Sequence, residues 1–318
     1  MGRSGRFAAL GAAAVVVVGL AAGCQPSRSP LEPHPPVAGT GASVGTQAPV
    51  PPPGAGGPTE PAVVPPATVP PATPGVGAAP AVSARYARPA WLGTRPLPLR
   101  PDGYGEIRPT PPRLRDRRFA TPESLAPAAS RRFSSTVMPV PTAVLQRSTW
   151  SRGCPVTRDD LRYLTVTFHG FDQLPHTGEL LVHRTVARDI VSVFRSLYRA
   201  RFPIEEMRVV AREELDLAPT GDGNNTTAFV CRAARGSTSW SEHAYGRAID
   251  VNPFHNPYVR ADVVLPELAS AYVDRHRRRP GMIRAGDVVT QAFGAIGWEW
   301  GGDWDSLTDW MHFSATGG

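Results

Sequence analysis

Hydrophobic positions between residues 160 and 313 fall into short periodic runs. Leu164, Val166 and Phe168 alternate with Thr165 and Thr167, the two-residue period of a half-buried strand. Val186, Ile190, Val193, Phe194 and Leu197 recur at helical spacing and predict an amphipathic helix over Thr185 to Ala200, stopped by Pro203. Met207 to Ala211, Ala228 to Arg232 and Ala248 to Asn252 predict short strands, the last closed by Pro253. Leu265 to Arg277 and Gly286 to Ile296 read as helices, the second capped by Gly297. Met311 to Phe313 predicts a final strand. Helices and strands do not alternate regularly, so an α+β domain is expected rather than a wound parallel sheet. The sequence shows no internal repeat, no Gly-rich phosphate loop and no GxSxG nucleophile elbow.

Upstream the pattern changes. Of 36 prolines in 318 residues, 28 lie before residue 142. The region from 25 to about 84 is Pro, Ala, Gly, Val, Thr and Ser, with too little apolar surface to offset chain entropy. The expected organisation is a leader at 1–23, a mostly disordered Pro/Ala/Arg-rich tether at 24–145 and one folded domain at 146–318. Residues 85–145 also carry Trp91, Tyr104 and Phe119 among many arginines, so this stretch either docks on the domain or is a solvated basic linker. The leader has Arg3 and Arg6 before an uncharged run from Phe7 to Ala22. That run is about 24 Å long as a helix, short of the roughly 30 Å bilayer core, as in a cleaved export signal. Its end, Leu20-Ala21-Ala22-Gly23-Cys24, resembles the bacterial lipoprotein cleavage box. The resemblance implies a lipid on Cys24 and a place on the outer face of the bacterial cell membrane. The alternative is plain secretion.

Three cysteines are an odd number for an exported chain. With Cys24 lipid-bearing, Cys154 and Cys231 remain as one disulfide pair. All 34 basic residues are arginine, and the net charge is +7. From Trp150 onward, however, 19 Arg face 21 Asp and Glu, so the domain itself is near neutral and no nucleic-acid partner is expected.

Groups able to bind metal concentrate in SWSEHAYGRAIDVNP, 239–253, and GWEWGGDWDSLTDWMHF, 297–313. His243 and Asp250 can converge on a strand-turn-strand path, and His312 can complete the set. Two imidazoles and a carboxylate, with a fourth position left for water, form a catalytic zinc arrangement. Asp309, three residues before His312, sits where a general base belongs.

Ser241-x-His243-x-x-Gly246-x-Ala248-x-Asp250 followed by Asp309-x-x-His312 resembles the zinc D-Ala-D-Ala peptidases, which include VanX- and VanY-type enzymes and L-alanyl-D-glutamate endopeptidases. The resemblance runs from about Trp150 to Phe313. It implies a single zinc-peptidase domain of the Hedgehog-like type, one Zn2+ on His243, Asp250 and His312, and Asp309 as catalytic base. It also implies a substrate-polarising arginine upstream, for which Arg232 is the candidate. Better-known members keep a helix between this arginine and the histidine, whereas only ten residues separate Arg232 from His243 here. The implied substrates are peptidoglycan stem peptides or cross-links, cut by a monomeric enzyme as a carboxypeptidase or an endopeptidase. Asp rather than Glu at 309 resembles the endopeptidase branch. A different class, a non-catalytic zinc-containing wall-binding lipoprotein, is the alternative. Trp298, Trp300, Trp304 and Trp310 are read first as core, with a substrate-stacking wall as the second reading. His169, His176 and His183 span a strand, a loop and a helix start, so no second metal site is expected there. His255 is a candidate substrate contact.

Overall fold

The computed structural model describes residues 85–234 and 237–317. The expected leader, Cys24 and the first part of the expected tether lie outside them. In chain order the elements are β1 (Ser135–Pro139), α1 (Thr142–Arg147), β2 (Leu161–His169), β3 (Pro175–His183), α2 (Ala187–Arg199), β4 (Glu206–Met207) and β5 (Asn225–Thr226). They continue with β6 (Ala248–Asp250), β7 (Tyr258–Arg260), β8 (Val263–Leu265), α3 (Val288–Gly294), β9 (Glu299–Trp300), β10 (Thr308–Asp309) and β11 (His312–Ser314). The class is α+β, as the pattern predicts.

An antiparallel sheet in the order β1-β2-β3 forms the centre. Its two-residue period divides the core. Leu164, Val166, Phe168, Leu180 and Val182 face one cluster with Ile190, Val193, Phe194 and Leu197 of α2. The alternate positions Leu161, Tyr163 and Leu181 face a second cluster with Val140, Val144, Leu145 and Val156. The strand is therefore buried on both faces rather than half-buried as expected.

A small antiparallel sheet, β6-β11-β9, rests on the first cluster through Ile249, Trp300 and Phe313. α3 joins it through Val289 and Phe293. Asp287 caps α3, its carboxylate accepting from the Val289 and Thr290 amides.

Residues 85–145 are not a loose tether. Leu97, Leu114 and Phe119 form a third buried cluster with Phe254, Leu268, Ala269, Tyr272 and Met282. Arg117, buried, donates through Nε and Nη2 to the fully buried Glu205 at 2.7 and 2.8 Å. Arg88 and Asn224 donate to the same carboxylate, each at 2.9 Å. The expected boundary at 146 therefore fails: the strap supplies apolar surface and counter-charges that the rest of the domain lacks. Arg88, Arg100 and Arg117, counted as tether charge, pair with Glu205, Glu206 and Asp262 of the domain.

His255 lies in this network rather than at a substrate surface. Its Nε2–H donates to the Arg117 carbonyl at 3.0 Å, and Nδ1 accepts from Asn224 at 3.1 Å. Burial pushes its pKa down to about 4. In the unfolded chain it would titrate near 6.5. The stability that the neutral ring contributes is thus present above about 6.5 and lost as pH falls toward 4. We expect the His255 ring resonances to stay constant between pH 8 and about 5.5 in an NMR titration, while the unfolding midpoint drops as pH falls through that range. A ring that titrates normally near 6.5 would contradict this environment.

Two expected elements are absent. Leu265 to Arg277 is no helix: Pro266 lacks an N–H and restricts Leu265, which ends β8, and only a 3-10 turn at Ser270–Tyr272 follows. Ala228 to Arg232 forms no ladder, because its amides bond singly to different elements, Phe229 to the Leu181 carbonyl and Val230 to that of His243. The β3 strand, unremarked in the sequence, pairs along its whole length with β2, the central strand of the sheet.

Cys154 and Cys231 are joined by a disulfide, with Cα atoms 5.8 Å apart and 77 residues between them in sequence. Closing such a loop restricts the unfolded chain by up to about 4–5 kcal/mol. Cys154→Ser with Cys231→Ser should lower the urea midpoint measurably, and a midpoint unchanged from wild type would show that the bond adds no stability.

Candidate metal centre

The motif around His243 is a local folding code. Ser241 caps a 3-10 turn at Glu242–Tyr245, its hydroxyl accepting from the His243 amide at 3.3 Å. Gly246 closes the turn in the left-handed region, φ +67°, where a Cβ would also lie 2.7 Å from the His183 amide nitrogen. Both demands require glycine. Chain direction then reverses into β6, where Ala248 and Ile249 are fully buried.

β6 and β11 bring the remaining groups together by register. Asp250 pairs directly with His312, and Ile249 with Phe313. Directly opposed residues in an antiparallel pair point to the same face. Ile249 and Phe313 therefore enter the core, and Asp250 and His312 share the outer face. The sixty-odd residues between them matter less than the two-residue period.

One donor atom from each of His243, Asp250 and His312 lies within 4.8 Å of the others. His243 Nε2 is 3.2 Å from Asp250 Oδ2, and His312 Nδ1 is 3.1 Å from Oδ1. A tetrahedral ion with bonds of roughly 2.0–2.1 Å holds its ligands about 3.3 Å apart. His243 Nδ1–H donates to the Ala228 carbonyl at 2.5 Å, which fixes the tautomer and leaves Nε2 as the donor toward the cluster. His312 Nε2 is buried without a hydrogen-bond partner among the described residues. An N2O donor set at this spacing, with His243 Nε2 and His312 Nδ1 facing the two Asp250 oxygens, fits zinc.

The charges are strongly coupled. Burial alone would push the Asp250 carboxyl up, but the His243 and His312 imidazoles override it and hold the group well below the usual carboxylate range. Burial likewise opposes a charged His243, yet Asp250 raises it.

Asp309 is placed by β10, which pairs with β7 through Asp309 and Tyr258. Its Oδ1 is buried without a partner among the described residues. Burial first, and then the Asp250 charge, raise its pKa well above normal, against the Met311 and His312 amides. A cation in the cluster would offset the Asp250 charge and allow Asp309 to ionise. Gly301 makes this packing possible: a Cβ there would stand 2.7 Å from the Asp309 carbonyl oxygen.

Arg232 lies close enough for its charge to oppose protonation of His243. Its Nη1 donates to the Ala233 carbonyl at 3.1 Å. The tryptophans divide. Trp298 and Trp300 are buried, and Trp300 donates to the Trp310 carbonyl. Trp310 lies under the Arg275 guanidinium, 4.7 Å from its ring centre. Trp304 alone of the four packs against His312, its ring centre 5.4 Å away, and lines an open cleft of about 550 Å³ with Asp303, Asp305, Ser306, Leu307 and Gly317. His169, His176 and His183 do not converge: His176 is held by Glu123 and Asp172, and His169 stacks on Tyr198. The Ala228 carbonyl and Gly301 are contributors that sequence reasoning missed. A backbone acceptor carries no residue signature, and Gly301 was legible only as a tight turn.

Residues 235–315 match the family model described as D-alanyl-D-alanine carboxypeptidase. The matched segment includes His243, Asp250, Asp309 and His312 and begins after Arg232. No curated protein and no solved structure matches the chain significantly.

Proposed function

We propose that this chain, whose residues 235–315 match the family model described as D-alanyl-D-alanine carboxypeptidase, is an exported zinc hydrolase of peptidoglycan stem peptides or cross-links. The observation that carries this reading is the convergence of His243, Asp250 and His312 beside an unpartnered buried carboxylate, Asp309.

A zinc ion held by the three ligands supplies Lewis-acid activation of water and of a peptide carbonyl. Asp309 takes the proton from the attacking water at Oδ1 and returns it to the leaving amine. With a cation in the cluster offsetting the Asp250 charge, the Asp309 carboxyl is ionised and free to accept that proton. Arg232 sets a positive charge near the His243 side of the centre, where it stabilises the developing oxyanion. Donors of that kind contribute about 2.7–4 kcal/mol in other hydrolases. Ala228 and Asp250 orient the two imidazoles. Trp304 walls the approach and excludes water from one side of His312.

Arg3, Arg6, the apolar run and Cys24 support export and a lipid anchor, which would hold the enzyme beside its polymer. The family description supports action on a terminal D-Ala, and Asp309 supports cleavage within the stem. Digestion of purified peptidoglycan, with fragments identified by mass, separates them: loss of single alanines marks the carboxypeptidase, and free stem peptides mark the endopeptidase. Both products should vanish when zinc is chelated and return when it is added back. Cleavage indifferent to chelation would sink the zinc reading. An intact polymer with one zinc bound per chain would replace it with a binding protein.

A further inference from the structure

We infer that the solvent face of α2, with the adjoining turn at 131–132 and Arg201, binds a linear polyanion of the polyol-phosphate class. α2 buries Ile190, Val193, Phe194 and Leu197 and exposes Arg188, Asp189, Ser192, Arg195 and Arg199. At 100° per residue, positions 188, 195 and 199 fall within about 40° of one another, a stripe roughly 16 Å long. The turn before β1 is fastened to the same helix. The Tyr198 hydroxyl donates to the Arg131 carbonyl at 2.7 Å, and the Arg195 guanidinium lies 4.9 Å from the Phe133 ring centre. Arg131 and Arg132 are exposed beside it. Arg201, in the left-handed region at φ +55°, follows the helix end, and its charge reaches His169, which stacks on Tyr198.

Six arginines thus share one surface with a single acid on the helix, Asp189. Among the described residues none of the six forms an ion pair. By contrast, Arg88, Arg100, Arg108 and Arg117 pair with carboxylates. Helix stability does not explain the stripe. Arg199 and Arg201 suit the negative end of the helix dipole, but Arg188 stands in the first turn, at the positive end. Arg195 and Arg199 are like charges four residues apart and repel. An external anion would relieve both conflicts.

The row points to a charged chain rather than a bilayer or a nucleic acid. The exposed positions of α2 carry no large apolar group to enter lipid, because its apolar side is in the core. None of those exposed positions is aromatic, so nothing on the stripe would stack on bases. Arginine forks bind phosphate bidentately.

The test is anisotropy of a fluorescent poly(glycerol phosphate) chain titrated with the full protein at several salt concentrations. Binding should weaken steeply with salt. Arg188→Gln, Arg195→Gln and Arg199→Gln together should weaken it at least about tenfold and lower the log–log salt slope by two to three, about one per phosphate contact. Arg131→Gln with Arg132→Gln, off the helix, should weaken it about threefold, and serves if the triple variant does not fold. Arg277→Gln with Arg278→Gln, also exposed, should change it less than twofold. The inference is overturned by no binding, by a folded triple variant that binds like wild type, or by equal loss in the Arg277/Arg278 control. Tighter binding to oligothymidylate of equal phosphate number, or to phosphatidylglycerol vesicles, would overturn it too.

Discussion

Asp309→Asn should reduce peptidoglycan hydrolysis by about 10²–10⁴-fold while leaving zinc content near one ion per chain. The substitution keeps the shape of a buried side chain and removes only its capacity to hold and release a proton. The ligands are untouched, and the Met311 and His312 amides can still find an acceptor oxygen. Its effect on stability should have the opposite sign. In ion-free protein the raised Asp309 pKa means that the folded state binds a proton the unfolded chain releases above about 4. Stability is therefore fully present below that value and declines as pH rises toward the folded pKa. The Asp309→Asn variant should escape this decline. Urea unfolding with chelator present, at pH 5 and pH 8, should show a smaller loss for the variant than for wild type. Hydrolysis retained within a few-fold would remove Asp309 from the chemistry. Loss of zinc along with activity would make it a structural support of the ligands instead.

Arg117→Leu should destabilise the domain by about 3–5 kcal/mol, the usual consequence of stranding one partner of a buried ion pair. Glu205 is fully buried and would keep only Arg88 and Asn224 as donors. Burial opposes its charge, and the Arg117 guanidinium is the main influence that holds its pKa low. The Arg117 Nη1 bond to the Asp222 carbonyl, 2.7 Å, would go as well. Arg117→Met combined with Glu205→Met should recover most of the loss, since no charge is then stranded. A single variant within about 1 kcal/mol of wild type would mean that water reaches Glu205 and that the strap is only loosely seated. Removing residues 85–145 outright should be worse still, because Leu97, Leu114 and Phe119 would leave Phe254 and Tyr272 open to solvent.

The metal centre was legible in the sequence because each motif position has one local job. Ser241 caps, Gly246 turns and Ala248 packs, and together they hold the candidate ligands His243 and Asp250 in place. β2, α2 and α3 were legible for a related reason: their periodicity is a consequence of neighbours within a few residues. The strap was not. Its proline content reads as extended chain, and extended chain it is. Local pattern cannot tell a segment that lies on a core from one that hangs in water, because the difference rests on partners such as Glu205, 88 residues away from Arg117. The expected helix at 265–277 failed for a subtler reason. Leu268, Ala269 and Tyr272 have helical spacing, but they are buried in the third cluster from a 3-10 turn rather than an α-helix. Burial at three- and four-residue intervals does not by itself specify a helix when proline opens the segment. Arg232 sits between these cases, near His243 as the resemblance implies, yet on irregular chain.

The register of β6 against β11 sets Asp250 opposite His312 through backbone pairing alone. Backbone pairing thus fixes the spacing of two of the three candidate ligands, and a capped turn and the Ala228 carbonyl fix the third. An ion whose bonds call for a different ligand separation could be accommodated only by breaking main-chain hydrogen bonds, so the strand register itself acts as a filter on ion size.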